Sequence, residues 1–299
     1  MIGQFLAILS GLGFAGSSVF IRQAVFRTKE AGTSVFISVL FGVLVFSLVL
    51  VISGNAGQLG TASWQAIAAL AGAGIIHFAL GRWLTYYSLR LIGANQSSPL
   101  RGSSTLVSVV LGITLVDERF TWGLAWGVCF IIIGVTLVSV ESGGDGMSDI
   151  TTTRKDSIKG IAAALLGGIC YGISPVLVKI AIEEGNSPYT GIFISYSTAF
   201  VFMFIHRLII HKLGEVLVSY KKAIVPMSVG VISISVAQIC RYVSLDYIPV
   251  SVVSPLNSTA TLFTILLSFI INRRIELFTW KIIVGAILVV SGVFFIFQV

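Results

Sequence analysis

Apolar stretches of about 20 residues, the length of a helix that crosses a bilayer, follow one another along almost the whole chain with only short polar breaks. Soluble folds do not tolerate that pattern, because a soluble helix or strand needs a polar face. Charge content agrees: 10% of the residues are charged, against about 25% in soluble domains. The sequence therefore predicts an all-α integral membrane protein. At about 30 residues for a span and its connection, 299 residues hold about ten transmembrane helices. The expected spans are 2–24, 33–53, 66–90, 94–116, 121–140, 159–182, 188–211, 224–246, 250–272 and 278–298.

One sizeable polar stretch, residues 141–158, interrupts the series with Gly143, Gly144, Asp145, Gly146, three threonines and Arg154. Such composition is linker chemistry that a bilayer core excludes. It separates a first five-helix unit, 1–140, from a second, 159–299.

The two units repeat each other. A shift of 157 places Gly3, Ala7, Gly11 and Ser17 on Gly160, Ala164, Gly168 and Ser174. A shift of 156 pairs Tyr86, Ser88, Pro99 and Thr105 with Tyr242, Ser244, Pro255 and Thr261. At 158, Glu118, Phe120, Thr121, Trp122, Gly127 and Gly134 meet Glu276, Phe278, Thr279, Trp280, Gly285 and Gly292. Because each unit has an odd number of spans, the second enters the membrane from the opposite side. The repeats are thus expected to be inverted about an axis in the membrane plane, an arrangement that places a transporter's substrate near the midplane.

These residues resemble the drug/metabolite transporter superfamily in its EamA-type ten-helix form. The likeness lies in the two five-helix units and their ends: Asp117–Trp122 followed by Gly127 and Gly134, and Glu276–Trp280 followed by Gly285 and Gly292. The resemblance implies a transporter without enzymatic activity and without a cofactor. It leaves the substrate open, since such proteins move amino acids, nucleosides, sugars, phosphorylated metabolites or drugs. It also implies that both termini face the cytoplasm. The basic residues imply the reverse: Arg27, Lys29, Arg90, Arg154, Lys155, Lys159, Arg207, Lys212, Lys221, Lys222, Arg273, Arg274 and Lys281 cluster on the odd-numbered connections, which the positive-inside rule assigns to the cytoplasm.

Candidate site residues follow from polar groups inside the spans. Arg101, Thr105, Ser108 and Gly112 recur on one face of the fourth span, and Asn257, Thr261, Thr264 and Ser268 repeat that face on the ninth. The third and eighth spans carry Arg82 and Tyr86, and Gln238, Arg241 and Tyr242. Arg82 and Arg101 fall at one depth, about 10–12 Å in, with no acidic residue at that level. An intramembrane charge is a functional hypothesis by default, so both are expected to attract a substrate carboxylate or phosphate. The alternative is that they snorkel to the interface or bond carbonyls freed near Pro99. Arg241, nearer its helix end, reads as a snorkeller. His77, midway along the third span, reads as a helix–helix hydrogen-bonding partner or as a proton-coupling group. The substrate-binding candidates are therefore His77, Arg82, Tyr86, Arg101, Thr105, Gln238, Tyr242, Asn257 and Thr261, with Phe14 and Tyr171 as further aromatic walls and Pro99 and Pro255 as hinges.

Other motifs are set aside. Gly11, Gly13 and Gly16 match a dinucleotide fingerprint but lie inside the first span, with no strand before them. Cys129, Cys170 and Cys240 read as small buried residues, without metal spacing or an expected disulfide. The first span lacks a preceding basic region and reads as a retained helix rather than a signal peptide. The basic excess lies at span ends, so nucleic acid is not an expected partner. The expected partners are the lipid bilayer, in a prokaryotic plasma membrane, and a small anionic or zwitterionic substrate, with the protein a monomer or weak homo-oligomer. Taken together, the sequence points to a secondary transporter, an exporter of small metabolites such as amino acids. The rivals are a flippase for lipid-linked sugars or phospholipids and a membrane-embedded transferase.

Overall fold

A computed structural model describes residues 1–28, 31–85, 87–88, 91–92, 100, 102–142, 154–209, 224–271 and 280–298. Every regular element among them is helical. In chain order these are α1 (Ile2–Thr28), α2 (Ala31–Ile52), a short 3₁₀ turn (Asn55–Gly60), α3 (Trp64–Gly74), α4 (Ser103–Leu115), α5 (Trp122–Ser142), α6 (Arg154–Glu183), α7 (Pro188–Ile209), α8 (Ile224–Tyr247), α9 (Val250–Ser258), α10 (Ala260–Ile271) and α11 (Trp280–Phe297). Six of the described helices are long and apolar enough to cross a membrane, and shorter apolar helices cover Ser103–Leu115, Trp122–Leu137 and Ile283–Phe297. Large apolar side chains such as Leu48, Trp83, Ile133, Ile232 and Phe294 are exposed around the outside. Lipid would cover that surface, which would associate in water.

Most helix limits fall within a few residues of the sequence reading, and the departures have local causes. α6 begins five residues early, at Arg154 rather than residue 159, and takes Asp156 into its first turn. A carboxylate there favours the helix N-terminus. α3 does not stay α-helical: Ile75–Gly81 winds as a π-helix before the α-helix resumes to Thr85. The ninth span passes through Pro255 unbroken and is interrupted at Thr259, between α9 and α10. There Thr259 turns both its N–H (3.2 Å) and its hydroxyl (2.7 Å) onto the Leu256 carbonyl. The proposed hinge Pro99 lies outside the described residues.

Contacts between the halves obey the repeat. α1 packs along α8 and α6 along α3; α4 packs on α6 and α9–α10 on α1. Single contacts are exchanged in the same way. A Cβ on Gly3 would sit 2.8 Å from Ile248 Cγ2, and one on Gly160 would sit 2.5 Å from Ile92 Cγ2, its equivalent under the shifts above. Where α5 crosses α11, a Cβ on Gly127 would sit 2.9 Å from the Gly292 carbonyl oxygen, and one on Gly134 would sit 2.5 Å from that of Gly285. As numbers rise along α5 they fall along α11, so these equivalent helices run antiparallel. Only glycine permits backbones this close.

Candidate functional site

Polar side chains from both halves collect between α2, α3, α6, α7 and α8. The approach of α3 to α7 sets their positions. A Cβ on Gly74 would lie 2.0 Å from the Ser195 carbonyl oxygen, so the two backbones touch. The Ser195 hydroxyl donates to the Leu70 carbonyl at 2.9 Å and fixes the register. One residue on, the Tyr196 ring packs on Phe78 at 4.1 Å and edge-on to Phe46 at 4.6 Å. Gly42 leaves room for that ring, since a Cβ there would be 2.5 Å from Tyr196 Cε1.

Arg82 follows the π-helical turn and is 8% exposed. Its Nη1 donates to the Ser38 hydroxyl at 2.9 Å, and its guanidinium lies 5.0 Å from the centre of the Phe78 ring. His77, on the π-turn itself, contacts Phe78 at 4.6 Å and Tyr171 of α6 at 4.7 Å between ring centres. Gln238 and Arg241 approach from α8, 0% and 6% exposed. The Tyr196 hydroxyl faces Arg82 and Gln238 without a hydrogen bond of normal geometry, and Arg241 acts on it electrostatically. Both arginines also act electrostatically on His77. Tyr242, 2% exposed, completes the group beside Ser195.

This cluster is under-satisfied in two respects. Neither Arg82 nor Arg241 has a carboxylate partner among the described residues. Asp117, Glu118, Asp156, Glu183, Glu184 and Asp246 all lie at helix ends or in connections. Several neutral polar atoms are also buried without a hydrogen-bond partner: His77 Nδ1, the Tyr196 hydroxyl, both amide atoms of Gln238, Ser235 Oγ and Thr85 Oγ1. Each such group costs about 1–3 kcal/mol, and an unpaired buried charge costs more. Native interiors leave few polar groups unpaired, so a concentration of them calls for an explanation.

The repeat places the cluster in depth. Gln238 is the equivalent of Arg82 and Arg241 that of Thr85, at a shift of 156. Equivalent positions on antiparallel units meet only where the two halves cross, and Arg82 and Gln238 adjoin the same tyrosine. Arg241 is therefore not a snorkeller. It lies six residues from the end of α8, but α6 and α7 cover that stretch, and its side chain turns inward.

A second polar group lies across α1 and α6. Thr105 of α4 and Ser258 of α9 share a 2.8 Å hydrogen bond, and the Ser10 hydroxyl donates to Asn257 Oδ1 at 2.9 Å. Ser108 donates to the Gly172 carbonyl at 3.1 Å, next to Tyr171, which touches His77. Thr261 is half-buried on α10. Of the sequence candidates, His77, Arg82, Gln238 and Tyr242 thus come together, and Thr105, Asn257 and Thr261 form the neighbouring group. Tyr86 and Arg101 lie outside the described residues. Tyr196 and Ser38 are not among the sequence candidates; the run Ser195–Thr198, polar in the middle of an apolar span, is the signal that marks the former.

Toward the end of the molecule where α7 begins and α8 finishes, a cleft of ≈ 410 Å³ is lined by Asn55, Gln58, Asn186, Tyr189, Asp246 and Tyr247, among others. It stops short of Tyr196 and the arginines: Ser195 lies seven residues further along α7, about 10 Å by helical rise, while Val243 in the cleft lining adjoins Tyr242. Between them pack Leu70, Gly191 and Tyr242: a Cβ on Gly191 would lie 3.2 Å from Leu70 Cδ2 and 3.7 Å from the Tyr242 ring.

A further tie joins the halves at this end. α9 begins after Pro249, whose side chain cannot cap it. The Glu118 carboxylate, from the connection after α4, accepts from Val250 N–H at 2.5 Å and Ser251 N–H at 2.9 Å. Asp117 turns the chain there with a φ of 53°.

No curated protein matches the sequence. Among solved structures, one described only as "Crystal structure of protein" superposes with a TM-score of 0.75 over 98% of this chain and 94% of its own, at 13% identity, which shows a shared fold. The EamA-like transporter family matches residues 1–140 and again 158–298, one match for each half. With nearly the whole chain so accounted for, this protein belongs to the EamA-like transporter family, and it is a multi-pass membrane transporter rather than an enzyme.

Proposed function

We propose that the protein is a secondary transporter of small organic metabolites bearing an anionic group, amino acids among them, and that it exports them across the cell membrane. In this reading ten spans form two inverted repeats that rock about the buried cluster and expose it to each side in turn. One observation carries the reading: two buried guanidiniums and several unpaired polar atoms, drawn from both halves, at the level where the halves meet. His77, Arg82, Gln238 and Tyr242 would contact the substrate there. Arg101, Tyr86, Thr105, Asn257 and Thr261 would line its path. Pro99 and Pro255 would serve as hinges.

The test is solute flux in proteoliposomes holding the purified protein. Removing one partner of a buried charge pair costs about 2–5 kcal/mol. Arg82→Ala should therefore lower substrate affinity at least about 30-fold, and Arg101→Ala should lower flux. Unchanged flux in both variants would overturn the assignment.

A further inference from the structure

We infer that the substrate carries two negative charges, one for Arg82 and one for Arg241. The inference rests on the transport reading above and narrows its substrate. Arg82 comes from the first half, 5.0 Å from the Phe78 ring that packs on Tyr196, and Arg241 from the second, about one helical turn beyond Gln238, and both lie within electrostatic reach of the Tyr196 hydroxyl and the His77 imidazole. Each loses its hydration on burial, and neither meets a carboxylate among the described residues. Arg82 has partial compensation from Ser38 and the Phe78 face. Among the described residues the Arg241 guanidinium has no hydrogen bond to a side chain, and its electrostatic neighbours are Tyr171, Tyr196, Tyr242 and His77.

A monoanion neutralises one of these charges and leaves the other buried and uncompensated. A neutral zwitterion is worse placed: its one carboxylate leaves a guanidinium unanswered, and its ammonium meets no carboxylate among the described residues. A compact solute with two negative charges satisfies both. The unpaired donors fit the same ligand, since the Tyr196 hydroxyl and Gln238 Nε2 offer hydrogen bonds to further anionic oxygens. Because each half supplies one arginine, a ligand bridging them draws the halves together. A short dicarboxylate and a phosphate monoester share this chemistry.

Matched solutes separate the possibilities. With purified full-length protein in proteoliposomes, succinate is compared with butyrate and glutamate with glutamine, and inorganic phosphate is added as a third probe. The expected result is that succinate and glutamate are taken up at concentrations at least about 30-fold lower than their partners. Competition by inorganic phosphate would show that charge alone suffices; its failure, with succinate succeeding, would assign the site to dicarboxylates. The diacid preference should fall at least about 30-fold in Arg241→Gln and survive in Arg241→Lys, which keeps the charge. Thermal midpoints of both variants establish that they are folded.

Uptake of butyrate and glutamine equal to that of their partners would overturn the inference and leave transport standing. A preference that persists undiminished in folded Arg241→Gln would overturn the role given to that arginine. If no probe with two negative charges moves or raises the thermal midpoint, the inference also fails, whatever other solutes the protein carries.

Discussion

Replacing Glu118 tests how the two halves are held together at one end. Its carboxylate satisfies the first two N–H groups of α9, which Pro249 leaves uncapped, and it does so from the opposite half of the chain. Loss of a helix cap costs about 0.5–2 kcal/mol, and a carboxylate at a helix N-terminus adds about 0.3–1 kcal/mol. Glu118→Ala should therefore weaken this junction by about 2 kcal/mol, a factor of about 30 in the population with the junction open. Ser251 is 1% exposed and reports opening directly. In a background with Cys129, Cys170 and Cys240 replaced by alanine, Ser251→Cys should react slowly with a polar maleimide, and up to about 30-fold faster once Glu118→Ala is added. The thermal midpoint should drop by about 3 °C. Glu118→Gln, which keeps an acceptor without the charge, should fall between. Gly112→Ala supplies an independent route to the same outcome, since its Cβ would sit 2.6 Å from Glu118 Oε2 and displace the carboxylate. Equal labelling and equal midpoints in Glu118→Ala and its parent would refute the capping argument.

Gln238→Leu removes two buried, unpaired amide atoms at similar volume, so it should stabilise the ligand-free protein by about 1–3 kcal/mol while reducing flux. A lower thermal midpoint in this variant would mean that the amide is satisfied after all. Gly74→Ala forces a methyl to within 2.0 Å of the Ser195 carbonyl oxygen. Overpacking against backbone costs about 1–3 kcal/mol, so its midpoint should fall by several degrees, with weaker ligand protection because Tyr196 and His77 sit beside the crossing.

Much of the architecture is written locally and can be read without the structure. Apolar runs give the helices, and near-constant shifts between Gly3 and Gly160, Thr105 and Thr261, and Glu118 and Glu276 give the two halves. The same shifts then predict which contacts recur, as the paired glycine crossings bear out. What stayed hidden depends on the backbone leaving ideal geometry or on partners distant in sequence. Hydrophobic periodicity does not distinguish the π-turn at Ile75–Gly81 from ordinary helix, although that turn sets the direction of Arg82. Proline chemistry marks Pro255, whereas the interruption falls four residues later, where serine and threonine hydroxyls compete for helix carbonyls at Ser254 and Leu256. The partners of Glu118 lie 132 and 133 residues away.

Arg241 is the instructive misreading. Its distance from the end of α8 is that of a snorkelling residue, and distance along a helix is all that a sequence supplies. Snorkelling also needs a sideways exit to the interface, which the crossing of α7 over α8 closes. Arg82 and Arg241 differ in the reverse sense to the sequence reading: Arg82 has a hydroxyl and an aromatic face to rest on, while Arg241 has, among the described residues, the neighbouring tyrosines and His77. The repeat sharpens the point. Arg82 corresponds to Gln238 and Arg241 to Thr85, so the cluster draws one cation from each half at non-equivalent positions. Symmetry alone would have placed the charges at equal and opposite depths. Their offset brings both to one tyrosine, where a single small anion can answer them together.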